Sequence, residues 1–253
     1  SEQETAAIRD FLYSREIKNC LNYHAYGSLL IFPYGALEVE TSDSTTFREF
    51  ASDMTQFNNY SYGTDQQTVG YSTRGNSDDY MYDGEIDQKG KIFAMTPEVG
   101  GSFWPDDSQI IPLAEENIFP NLYYAWVAGG YASPSHIELS KENIEPGDTV
   151  NINIDLKNKG LSDISHASLH LLGNSNQIQI LSDFTETNEI MAGETINFES
   201  VFQFIVKDEV ESGTEIIIYI ETYTEDMLGF VDEISFLESI FHVLFKNGIR
   251  MCF

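Results

Sequence analysis

Basic residues are scarce in this chain of 253: 13 Lys and Arg stand against 41 Asp and Glu, a formal net charge of −28. Affinity for nucleic acid rests largely on cations laid along phosphates, so this balance argues against a nucleic-acid partner and against anionic lipid head groups. The acidity is not a tail. Seven basic and 20 acidic residues precede position 134, and six and 21 follow it, so it belongs to the whole surface. Cysteine is rarer still: Cys20 and Cys252 lie near opposite ends without a Cys-x-x-Cys pair. That excludes a disulfide framework and a thiolate zinc site, and it leaves the redox compartment open. No run reaches the roughly 18 apolar residues of a membrane span, and the acidic start Ser-Glu-Gln-Glu-Thr has no signal-peptide pattern. Apolar residues, in contrast, make up 42% of the chain, enough for a sizeable core and too many for a disordered protein.

Two kinds of patterning follow one another. Ala6, Ala7, Ile8, Phe11 and Leu12 fall at helical spacing over residues 4–15. Asp43 or Ser44 can cap a second helix that places Phe47, Phe50, Ala51, Met54 and Phe57 on one face. Ile17 to Tyr23, Leu29 to Phe32 and Lys91 to Thr96 read as short strands. Tyr60 to Gly90, rich in Tyr, Gly, Ser and Asp with no sustained period, reads as a long functional loop. Ile110 to Val127 is helical in pattern with a break expected at Pro120. From His136 the pattern becomes all-β, and Val150 to Leu156, Ala167 to Leu171, Phe198 to Val206 and Glu215 to Thr224 alternate apolar with polar residues. Seven or eight such strands suggest an immunoglobulin-like sandwich. The expected division is therefore a first domain over residues 1–134, a β-sandwich over 136–238 and a tail over 239–253, with the boundary near Ala132 to Ser135.

Three blocks carry a family resemblance. Leu21-Asn22-Tyr23-His24-Ala25-Tyr26-Gly27, with the apolar run to Pro33-Tyr34-Gly35, resembles the segment of the carboxypeptidase A/B family of zinc metallopeptidases that supplies a third zinc ligand. Tyr71 to Tyr80 resembles the tyrosine loop of that family, and Phe93 to Gly100 resembles the strand end bearing its catalytic glutamate. The resemblance covers roughly residues 1 to 130. It implies an α/β fold with a mixed sheet, followed here by a β-sandwich of the accessory kind, and an enzyme that hydrolyses C-terminal peptide bonds with zinc-activated water. His24 is then a metal ligand, Glu98 the general base, Tyr71 a substrate contact that closes over the peptide, and Tyr26 a residue lining the groove. The implied partners are peptide or protein C-termini, and the implied setting is extracellular or periplasmic.

The departures from the family are as informative. Its first two zinc ligands, a His and a Glu three residues apart, have no counterpart: none of His24, His136, His166, His170 and His242 is followed by Glu at that distance. One imidazole does not hold a catalytic zinc, so the remaining ligands are expected upstream of Ser1 and the chain alone is expected to be inactive. The alternative reading is a binding or adhesion protein with a degenerate peptidase-like half. Counted from Tyr71 by the family's spacing, Asp79 falls on the loop's usual acidic position. Asp78 falls where the side chain of the departing residue is faced, which implies a preference for C-terminal Lys or Arg. His166 and His170, four apart on a predicted strand, are about 13 Å from one another at strand rise and too distant for one ion.

Overall fold

The computed structural model describes residues 2–211, 213–225, 227–237 and 243–246. The chain divides into two compact units, Ser1–Ala128 and Gly129–Phe253.

In the first unit a small mixed sheet is built from β1 (Asn19–Leu21), β2 (Leu29–Ile31), β3 (Ser61–Gly63) and β4 (Phe93–Glu98), in the order β1-β4-β2-β3. β1 runs parallel to β4, β2 antiparallel to β4 and β3 parallel to β2. Helices cover it: α1 (Gln3–Tyr13), α2 (Ser44–Thr55), α3 (Asp65–Thr68), α4 (Ser77–Asp83), α5 (Ile86–Lys89), α6 (Ile110–Glu115) and α7 (Ile118–Trp126). The predicted face of α2 is buried through Phe47, Phe50, Ala51 and Met54. Its aromatic rings pack on Phe32, Phe93, Tyr123 and Tyr124 at centroid distances of 5.0 to 6.4 Å. Phe57 lies beyond the end of that helix and meets Phe119 edge-on instead. A second cluster joins Leu12 of α1, Met81 of α4 and Ile92 and Ala94 at and just before β4.

Two local expectations are corrected. The stretch from Tyr60 to Gly90 is not one loop but β3, α3, α4 and α5, elements of three to seven residues that are too short for periodicity to register. The break between α6 and α7 falls at Glu116–Asn117 rather than Pro120, which sits in the first turn of α7. There a missing backbone N–H would have had no helical partner, so proline is tolerated.

The second unit holds two antiparallel sheets. β5 (Ala132–Leu139), β6 (Thr149–Asn158), β10 (Thr195–Val206) and β8 (Ile178–Ser182) form one in that order. β13 (Val243–Lys246), β12 (Met227–Leu237), β11 (Glu215–Thr224), β7 (Ala167–Gly173) and β9 (Phe184–Thr187) form the other. Alternation along β6 and β11 sends Val150, Ile152, Ile154 and Leu156, and Ile216, Ile218 and Ile220, into one shared core. The segment 132–135 lies inside β5, already paired with β6 through Ala132↔Asn158. Asn158 is fully buried, and its amide caps the Tyr131 and Gly160 N–H groups while donating to the Ser162 and Ile190 carbonyls. Apart from β13, the expected tail over 239–253 lies outside the described residues. His170 is packed between Phe184 and Tyr223, and His166 approaches Glu186 at 3.4 Å, so the two histidines have separate surroundings.

The core of this unit contains one ionisable anomaly. Asp232 points inward beside Ile220, is buried, and its Oδ2 has no hydrogen-bond partner among the described residues. Burial pushes its carboxyl up to about 7, against a weaker opposing pull from Lys159. The folded state therefore binds a proton that the unfolded chain releases near its ordinary value of about 4, and stability falls as pH rises between those two values. Asp232→Asn should leave the thermal midpoint of this unit unchanged at about pH 3, where the carboxyl is protonated in both states, and raise it progressively up to about pH 8, by the equivalent of roughly 2 to 4 kcal/mol. Equal midpoints at the higher pH would show that the carboxylate is solvated.

Candidate active site

Strand period and parallel register assemble the site. Because alternate residues of a strand face one side, Cys20, Asn22 and His24 share a face with Ala94, Thr96 and Glu98, rung against rung. Cys20 pairs with Ala94 within β1 and β4, and His24 pairs with Glu98 just past the end of β1. His24 N–H donates to the Pro97 carbonyl and Val99 N–H to the His24 carbonyl, both at 2.9 Å. The rungs change character along the sheet. Ala94 and Cys20 pack with Met81 in the core. Asn22 and Thr96 both donate to Asp78, Nδ2 to Oδ1 at 2.5 Å and Oγ1 to Oδ2 at 2.7 Å. His24 and Glu98 reach the open pocket at the carboxyl ends of the two parallel strands, where open α/β sheets place their ligands.

That pocket has a volume of about 300 Å³ and is lined by His24, Glu98, Asp65, Asp78 and Tyr71, with the apolar Ile31 and Val69 among its walls. Its far side is α4 and the loop before it. Asn76 caps α4 by accepting the Asp79 N–H at 2.8 Å, and its Nδ2 donates to the Thr73 hydroxyl. The Asp79 carboxylate accepts the Gly35 and Ala36 N–H groups at 2.8 and 2.9 Å, which ties the helix start to the Pro33–Ala36 turn. Gly35 is required here: a Cβ would stand 2.0 Å from Asn76 Nδ2 and 2.6 Å from Asp65 Oδ2 and Thr73 Oγ1. Tyr71 is 61% exposed at the pocket edge. Tyr26 does not line this pocket; its ring meets Phe103 edge-on at 4.8 Å, beside the 93% exposed Trp104.

No Lys or Arg is among the lining residues. Burial raises the carboxyls of Asp65, Asp78 and Glu98, Asp78 to about 6, and the charge of Asp65 pushes the other two further in the same direction. Hydrogen bonds from Thr96 and Asn22 oppose the rise at Asp78, and His24 opposes it at Glu98. One oxygen of Glu98, Oε2, is buried without a hydrogen-bond partner among the described residues. The arrangement holds a proton acceptor beside an imidazole and concentrates uncompensated negative charge behind both. Sequence reasoning named His24, Glu98, Tyr71 and Asp78 but not Asp65, Thr73 or Asn76.

Residues 1–119 match the zinc carboxypeptidase family model, Peptidase_M14. Among curated relatives, human mast cell carboxypeptidase A is 32% identical over 114 residues, which cover 39% of this chain and 27% of that protein. A zinc carboxypeptidase of Simulium vittatum is 32% identical over 127 residues, covering 47% of this chain and 41% of the relative. The chain thus spans between about a quarter and two fifths of the length of these relatives. Among solved structures, bovine thrombin-activatable fibrinolysis inhibitor in complex with tick carboxypeptidase inhibitor matches at 26% identity and a TM-score of 0.41, over 50% of this chain and 45% of that one.

Thr96→Val removes a donor to the ionised form of Asp78 at nearly constant shape. The Asp78 titration, followed by carboxyl NMR, should move upward from about 6 by on the order of one unit. A downward or absent shift would show that Thr96 does not hold that carboxylate.

Proposed function

We propose that the first unit is the part of a metallocarboxypeptidase that carries the general base and the side-chain pocket, and that the whole protein removes C-terminal residues, with Lys and Arg preferred. The observation that carries this reading is the pairing of His24 with Glu98 at the ends of two parallel strands, facing a pocket edged by Tyr71. The match of residues 1–119 to the zinc carboxypeptidase family supports it.

Zinc is the family's cofactor. Among the described residues no three His, Cys, Asp or Glu side chains converge as a metal group, so these residues by themselves do not fit a catalytic zinc, which takes three protein ligands. His24 is one imidazole ligand, and the remaining ligands are assigned to polypeptide outside these 253 residues. What this chain's own groups do is narrower. Glu98, raised by burial and holding a free oxygen, accepts a proton from a water and returns it to the departing amine. Tyr71 offers its hydroxyl to the bound peptide, and Asp78 supplies negative charge at the pocket base. The second unit is read as an immunoglobulin-like accessory sandwich, on the strength of two antiparallel sheets that share a core. An extracellular or periplasmic setting is part of the same proposal.

A second reading, a binding protein with a degenerate peptidase half, is favoured by the single imidazole of the site. Two measurements separate them. In equilibrium dialysis the 253-residue chain should bind zinc weakly and with no more than a few-fold loss on His24→Ala, since one ligand contributes little. The whole protein should shorten peptides by one residue, faster with Arg or Lys than Phe at the end by about tenfold or more, and Glu98→Gln should reduce this by about a hundredfold or more. A whole protein that leaves such peptides intact would favour the binding reading.

A further inference from the structure

The carboxylates of the pocket differ in what they leave for a ligand to touch. Asp78 is 5% exposed, and both of its oxygens are engaged, one by Asn22 and one by Thr96. Glu98 faces His24 across the strand ends. Asp65 is 6% exposed and lines the same pocket, yet its side chain is held by Thr73 alone among the described residues, with the hydroxyl bonded to Oδ2. A carboxylate has about four lone-pair positions, and with the Thr73 hydroxyl and backbone N–H as its donors part of its accepting capacity is left over.

Its position is also fixed. Asp65 is the first residue of α3, behind a capping box in which Thr64 and Gln67 bond each other's backbone. The Asp65–Thr73–Asn76 cluster closes against the bare backbone of Gly35, where a Cβ has no room. Val69 and Ile31 give the pocket an apolar wall for a methylene stem. The basic side chains in the neighbourhood are not available as partners: Arg48 is bonded to Glu40 and Gln67, and Arg74 does not line the pocket.

Resting on the proposed acidic-pocket function, we infer that Asp65 is the specificity-determining residue whose carboxylate meets the cationic side chain of the departing residue, while Asp78 adds charge from behind it. The geometry gives a guanidinium or ammonium group a charge-assisted acceptor at Asp65, held by Thr73 alone among the described residues, whereas each oxygen of Asp78 is already engaged by a donor, Asn22 or Thr96. An apolar side chain in the same place would leave both charges unpaired.

The test isolates the side chain by titrating the full chain with n-propylguanidinium and with its neutral isostere n-propylurea, followed by NMR chemical shifts. The wild-type chain should bind the guanidinium at least about tenfold more tightly than the urea. Asp65→Asn keeps the size and an acceptor for Thr73, and it should bring the two affinities within about twofold, whereas Asp78→Asn should keep a ratio of about threefold or more. If Asp65→Asn fails to fold, Asp65→Ser supplies the same comparison. A ratio that survives Asp65→Asn and disappears in Asp78→Asn would overturn the assignment to Asp65 while leaving the acidic-pocket reading in place. Equal affinities in the wild-type chain would remove that reading, and this inference with it.

Discussion

The parallel pairing of β1 with β4 determines which side chains can meet. In this register each residue of one strand has a partner on the same face of the other, so hydrophobic packing at Cys20 and Ala94 fixes, two rungs further on, the adjacency of His24 and Glu98. A slip of one residue would turn every one of these side chains to the opposite face. The core rung, the Asp78 rung and the pocket rung are therefore one construction, and the chemistry of the last is held in place by the burial of the first.

Charge is the second constraint. A chain with 41 acidic and 13 basic residues has few cations to distribute, and those near the site are used elsewhere, Arg48 on Glu40 and Lys91 on Asp43. The pocket carboxylates share one site, and their raised proton affinities express burial first and the repulsion between them second. A protein fold tolerates such a cluster because neutral donors, Asn22, Thr96 and Thr73, share the load without cancelling the charge. The same logic operates at Asp232 in the second unit, where no donor among the described residues reaches Oδ2 and burial outweighs the opposing pull of Lys159.

Much of this was legible from residue order. The apolar face of α2, the alternation of β6 and β11, and the three blocks that bear His24, Tyr71 and Glu98 needed only periodicity and motif. Asp78 was readable as a pocket residue by its offset from Tyr71, but its bonds to Asn22 and Thr96 were not, because they join three segments far apart in sequence. Asp65 was missed for a different reason. It lies in a four-residue helix inside a stretch read as loop, and the one available signal was local, the Thr-x-x-Gln capping pattern between Gly63 and Gly70. Pro120 misled because a proline marks a break only beyond the first helical turn.

The site stands on the β1–β4 register, and amide hydrogen exchange measured on the full chain reads that register directly. The His24 and Val99 amides, each bonded across the two strands, should exchange far more slowly than amides of the exposed Gly101–Trp104 loop, by about a hundredfold or more. Exchange of His24 and Val99 at the loop's rate would mean that the strands are not paired there, and that His24 and Glu98 are not held together.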